Sequence, residues 1–247
     1  MTGFELFRYS VRRVANNFNE ALAVSGLIWI GMIAIQIISA EVVANNLIGE
    51  GAAAQVPLSI ALIVLLVSLS VALASCWIAV AWHRFVLSGE RPTSVLPQWQ
   101  GGPIWAYAIN TIKIGILVIL FGALASGVMS MLLGSAIQSV GVIVIAALVG
   151  LPAIYGFYRV SPILPAAALG ENLGLGAAWA MTSKISGAIF QAAILGLMGI
   201  LLLQVPAVVL GDGIIGLLYE LAAGWVILMV GVSLLSSIYE AVSAGDM

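Results

Sequence analysis

Charged residues cut this chain into long apolar runs. Glu20 and Glu41 bracket 20 uncharged residues, and Glu50 and His83 enclose a run that is apolar from Pro57 to Trp82. Lys113 and Arg159 enclose 45 uncharged residues, Lys184 and Asp212 bound a further run, and Glu220 and Glu240 enclose 19. A helix rising about 1.5 Å per residue needs about 20 apolar residues to cross the hydrocarbon core. The 45-residue gap is too long for one crossing and suits two, joined by a turn at Gly134-Ser135 through Gln138-Ser139. The pattern predicts an all-α polytopic membrane protein with six transmembrane helices, near residues 21–40, 57–82, 108–133, 140–158, 185–210 and 217–239.

Ahead of the first run, Phe4, Phe7, Val11, Val14 and Phe18 recur at spacings of 3, 4, 3 and 4, one stripe of a helix flanked by Arg8, Arg12 and Arg13. This predicts an amphipathic helix over residues 1–19 lying in the membrane interface. Residues 20–247 then form a single six-helix domain. The segment before the first run does not read as a signal-peptide n-region, so the run is expected to be retained.

Composition strengthens the membrane reading. Hydrophobic residues make up 63% of the chain and charged ones 7%, against about 25% charged in soluble domains, so lipid must be the main solvent. Orientation follows from lysine and arginine. Arg8, Arg12 and Arg13 precede span one, Arg84, Arg91 and Lys113 lie between spans two and three, and Arg159 and Lys184 lie between spans four and five. All eight basic residues fall on one side, while the opposite loops carry Glu41, Glu50, Asp212 and Glu220. Both termini are therefore expected on the cytoplasmic side of the inner membrane. Trp82, Trp99, Trp105, Tyr107, Tyr158, Trp179 and Tyr239 cluster on the basic side, where aromatic rings favour the headgroup level. On this reading Trp82, His83, Arg84 and Trp179 are interface residues.

Few residues carry recognisable chemistry. One histidine and one cysteine, Cys76, cannot build a zinc site of the usual kind, and HExxH, GxSxG and P-loop patterns do not occur. No catalytic residues, metal site or cofactor are expected. Intramembrane ionisable residues are candidates for function by default. Lys113 lies roughly 12 Å inside if span three begins near Trp105, or snorkels to the headgroups if the preceding run is interfacial. Glu220 poses the same choice from the other side. Pro152 and Pro206 should kink spans four and five.

The two basic-side connections echo one another. Trp82-His83-Arg84, Gly89-Glu90, Trp99 and Lys113-Ile114 are followed later by Tyr158-Arg159, Gly170-Glu171, Trp179 and Lys184-Ile185. A repeated helical hairpin is one account of this, and shared interfacial demands are another. Pro162 and Pro165 should end span four, and residues 166–183 should form a short interfacial helix, broken by Gly174 and Gly176, with Glu171 near its start. Arg159 and Glu171 either pair across the linker or stand as two separately solvated interface charges. The stretch from Arg159 through Pro162, Pro165 and Gly170-Glu171 to Trp179 resembles the linker of bacterial six-span proteins of the YciC type. It also resembles the membrane domain attached to some glycerophosphodiester phosphodiesterases. The resemblance implies a six-span architecture and transfers no catalytic residues.

Two functions remain open on sequence. The first is a non-catalytic scaffold, assembly or accessory component packing with membrane lipids, other membrane proteins or copies of itself. The alternative is a transporter or lipid-handling protein with a cavity on the cytoplasmic side, using Lys113, Arg159, Glu171, Lys184 or Glu220. Nucleic acid is not an expected partner.

Overall fold

The computed structural model describes residues 1–47, 57–134, 142–211 and 213–244. Every regular element among them is a helix: α1 (Gly3–Asn16), α2 (Phe18–Leu47), α3 (Leu58–Ser88), α4 (Gly101–Leu133), α5 (Val142–Val160), α6 (Ile163–Leu169), α7 (Leu175–Met181), a 3-10 turn (Thr182–Ile185), α8 (Ser186–Leu210) and α9 (Ile214–Ser243). Five stretches are long and apolar enough to cross a membrane: Phe18–Asn45, Leu58–Ser88, Gly101–Leu132, Leu175–Leu210 and Ile214–Ser243. Glu50, Asp212 and the turn expected over 135–139 lie outside the described residues, whereas Gly134 closes α4 at a positive φ of 49°.

Several helices overrun the spans drawn from the charge gaps. α3 continues to Ser88, α4 begins at Gly101 and α9 extends to Ser243. Several polar residues there find partners on neighbouring helices: His83 on α9 and α4, Arg84 on α6, and Glu240 on α1.

Those overrunning ends form the packed part of the molecule. The core gathers Ile78, Trp82, Ile104, Ile114, Met229 and their neighbours, with α6 set against α3, α4 and α9. By contrast, the other halves of the helices expose most of their aliphatic side chains, from Leu58 to Leu69 in α3 (Ile60 apart), Ile116 to Leu132 in α4 and Met198 to Leu210 in α8.

α1 starts with a reciprocal capping box. Thr2 Oγ1 accepts the Glu5 N–H at 3.2 Å, and the Thr2 N–H donates to the Glu5 carboxylate at 2.6 Å. These bonds from Thr2 hold the Glu5 carboxyl below its ordinary range. The face turned to the protein is Gly3, Leu6, Ser10, Arg13 and Val14, seated on α8 and α9. Phe4, Val11 and Phe18 of the expected apolar stripe stay exposed. The helix thus has two sides: one of mixed apolar and polar residues against the bundle, and one facing out that carries Phe4, Tyr9 and Val11.

The region after α5 differs in part from the broken interfacial helix expected over 166–183: Gly174 does mark a boundary, at the N-cap of α7, but the first piece is not interfacial. Helix restarts at Ile163, because Pro162 lies at its N-cap, where a missing N–H costs nothing. Six of the seven residues of α6 are buried, so it is a plug inside the bundle rather than a helix on the membrane surface. Gly170, at φ 84°, ends it: the Gly170 N–H reaches Ala167 O at 3.1 Å and the Glu171 N–H reaches Ala166 O at 2.8 Å. That is a Schellman stop. Gly89-Glu90 closes α3 in a related way, with Gly89 at φ 73° and the Glu90 N–H on Arg84 O. The recurring Gly-Glu pair is therefore a helix terminator in both places. The segment that follows is non-helical over residues 89–100 in the first case and contains α7 in the second.

Candidate functional site: a polar layer at the basic end of the bundle

Apolar helices leave buried polar groups few ways to be satisfied, so the polar residues at the packed end pair with one another. Arg13, on the inner face of α1, forms an ion pair with Glu240 of α9, donates to Tyr9 Oη at 2.7 Å and lies over the Tyr9 ring at 4.3 Å. One turn away, Ser10 Oγ donates to Ser237 Oγ at 3.0 Å and also reaches Leu6 O. Ser236, beside Ser237 on α9, meets His83 Nδ1 at 2.8 Å, and the other ring nitrogen faces Tyr107 Oη at 3.4 Å. A chain of polar contacts thus links α1, α9, α3 and α4 across the bundle.

His83 and Trp82 were expected at the lipid–water boundary. Both are wholly buried, because α3 continues past them and turns that side toward α4 and α9. The Trp82 indole N–H has no partner among the described residues. Arg84 does lie at the edge: its Nε pairs with Glu90 at 2.7 Å and its Nη1 donates to Ala168 O at 3.2 Å, tying α3 to the end of α6. Trp179 is about half exposed.

Arg159 and Glu171 do not meet. Arg159 is clamped by Thr182 Oγ1 at 2.9 Å, Tyr155 Oη at 2.9 Å and Trp179 O at 2.7 Å, and its guanidinium lies 4.2 Å from the centre of the Trp179 ring. The bonds to Thr182 and Trp179 fasten α5 to α7 and the 3-10 turn, and the bond to Tyr155 braces the guanidinium from its own helix. Glu171 instead accepts a 2.6 Å bond from Tyr239 Oη of α9. The restart of helix at Ile163 puts α6 between them, with Arg159 before its start and Glu171 just past its end.

Lys113 and Glu171 do come together around one groove. It encloses about 500 Å³ between the first half of α4 and the end of α6, with Ala106, Ile109, Asn110, Ala167 and Asn172 also on its walls. Lys113 is exposed and its Nζ donates to Asn110 Oδ1 at 3.2 Å. Lys184 and Glu220 are exposed on other elements, away from this groove. An apolar recess of about 350 Å³ lies nearby between α4, α5 and α7, lined by Phe121, Pro152, Phe157 and Trp179.

Sequence reasoning missed Ser10, Ser236, Ser237 and Glu240 as parts of a site, and treated Arg13 as a headgroup contact. A signal was present: Ser233, Ser236 and Ser237 stand at i, i+3 and i+4 in an apolar run, a polar stripe on one helix face. Among the described residues no cluster of three or more His, Cys, Asp or Glu side chains has metal-site geometry. Comparison with protein-family models, with curated proteins and with solved structures finds no match.

Proposed function

We propose that this chain is a six-span inner-membrane protein with both termini and the polar layer on the cytoplasmic side. Its role on this reading is non-catalytic, as a scaffold, assembly or accessory component packing against other membrane proteins. The observation that carries it is the separation of packing from span length. Burial concentrates at the basic end, while Met131, Val208, Leu132, Leu58 and Leu124 in the other halves are 88%, 84%, 76%, 74% and 71% exposed. A chain that fastens its helices at one end and leaves long apolar flanks free is suited to receiving helices of a partner. Gly122 and Gly127 of α4 add support, since a Cβ at either would meet nothing within 4 Å. Small residues unused within the bundle allow a neighbouring helix to approach closely.

The sixth crossing in this proposal is α5, whose 19 residues cover about 28 Å at 1.5 Å per residue, close to the hydrocarbon thickness. The resemblance to YciC-type six-span proteins supports the same layout.

A transporter or lipid-handling role is the second reading, favoured by the groove that Lys113 and Glu171 share. Extraction in mild detergent followed by native mass spectrometry separates the two. A protein retained at fixed stoichiometry through two orthogonal columns supports the scaffold reading. Solute or lipid movement in vesicles that falls on substitution of Lys113, Arg159 or Glu171 supports the second, and flux equal to wild type in all three variants removes it.

A further inference from the structure

The groove between α4 and α6 holds two opposite charges that do not use each other. Lys113 spends one donor on the neutral Asn110 amide and has no carboxylate partner among the described residues. Glu171 accepts from a neutral phenol and has no cation partner there. Both line the same space of about 500 Å³, whose remaining walls are largely small or aliphatic. An unpaired ammonium and an unpaired carboxylate over an apolar floor are complementary to a ligand carrying a negative group, a positive group and an apolar continuation.

Depth selects the ligand. Lys113 reaches back one helical turn to Asn110, and from Asn110 to the end of α4 at Leu133 there are 23 residues. At about 1.5 Å each this is about 34 Å, slightly more than the roughly 30 Å hydrocarbon core. If α4 crosses the bilayer, the Lys113 ammonium lies at the level of lipid phosphates, whichever side that end faces.

We propose that this groove binds the headgroup of a phosphatidylethanolamine-type lipid. Lys113 takes the phosphate, and Glu171, held by Tyr239, accepts N–H bonds from the primary ammonium. Ala106 and Ile109 lie against the glycerol and the start of the acyl chains. A lipid with phosphate but no ammonium leaves Glu171 unpaired. A quaternary choline offers no N–H to it. Charge-assisted bonds of this kind are the strong ones. The proposal goes beyond the scaffold reading and does not depend on it, needing only that α4 spans the membrane.

The test uses the full-length protein in vesicles of phosphatidylethanolamine, phosphatidylglycerol and phosphatidylcholine in equal parts, extracted gently and analysed by native mass spectrometry for retained lipid. Phosphatidylethanolamine enriched over both others is the expected result. Glu171→Gln keeps an oxygen for Tyr239 and so should fold, but should lower the phosphatidylethanolamine-to-phosphatidylglycerol ratio about tenfold, the worth of one hydrogen bond to a charged group. Lys113→Gln, at an exposed position, should lower retention of all three phospholipids. Retention that mirrors the vesicle composition, or a preference that Glu171→Gln leaves unchanged, overturns the proposal. Retention of a partner protein on extraction from native membranes tests the scaffold reading separately.

Discussion

The seating of α1 on α8 depends on the absence of one side chain. A Cβ at Gly3 would fall 2.7 Å from Ala192 N, and would also run into Ala188 O and Gln191 Cβ. Ordinary contact begins near 3.4 Å, and two of these neighbours are backbone atoms that cannot rotate away. In Gly3→Ala, α1 must lift by roughly 1 Å, which forfeits a quarter to a half of the dispersion attraction of the facing atoms. Overpacking of this kind costs about 1–3 kcal/mol. The 3.0 Å bond from the Gly3 N–H to Gln191 Oε1 adds about 1 kcal/mol when broken. A combined cost of about 2 kcal/mol or more raises the undocked fraction of α1 about 30-fold. The assay is maleimide labelling of Ser10→Cys in a Cys76→Ala background, because Ser10 is wholly buried beneath the docked helix and Cys76 is the chain's single cysteine. Gly3→Ala should accelerate labelling about 30-fold, whereas Gly31→Ala, where a Cβ meets nothing within 4 Å, should not change it. Equal rates in both variants would refute the seating of α1 described above.

Three further outcomes follow from the polar layer. Ser236→Ala strips His83 Nδ1 of its partner and should lower thermal stability in detergent by about 1–2 kcal/mol, whereas Ser233→Ala, which removes a buried hydroxyl without a partner, should be neutral or stabilising. Glu240→Gln leaves the buried Arg13 guanidinium without its counter-charge; because the Glu240 side chain is 37% exposed, the cost should be about 1–2 kcal/mol, below that of a fully buried pair. A double-mutant cycle with Arg13→Gln should recover most of that loss. Arg159→Lys cannot reproduce three divergent bonds and a stacked plane, so proteolysis between α5 and α7 should accelerate about tenfold, while Lys184→Gln should leave it unchanged.

Helices and their apolar character were legible because periodicity and charge spacing record the solvent each residue faces. The interior of the basic end was less legible. Trp82 and His83 have the composition of an interface pair, and only the extension of α3 to Ser88 turns them inward. Arg13 sits among Arg8 and Arg12 in sequence, yet it alone lies on the helix face that meets α9, and a linear count of basic residues cannot separate the three. The prolines at 162 and 165 read correctly as the end of a long helix, but the immediate restart of α6 depends on burial against α3, α4 and α9, which is a tertiary property. Lys113 and Glu171 stand 58 positions apart in sequence. Their common groove follows from how α6 packs on α4, while an Arg159–Glu171 pair, one of the two readings open on sequence, rested on sequence proximity.

The central proposal is that the free apolar flanks receive other membrane proteins. Photocrosslinking residues placed singly at Met131, Val208 and Leu124, with buried Ile189 as the comparison, test this in intact membranes. The account predicts discrete protein adducts from the exposed positions, with the same partner cross-linked from each flank that faces it, and none from Ile189. Adducts to lipid alone from all three exposed positions would contradict it.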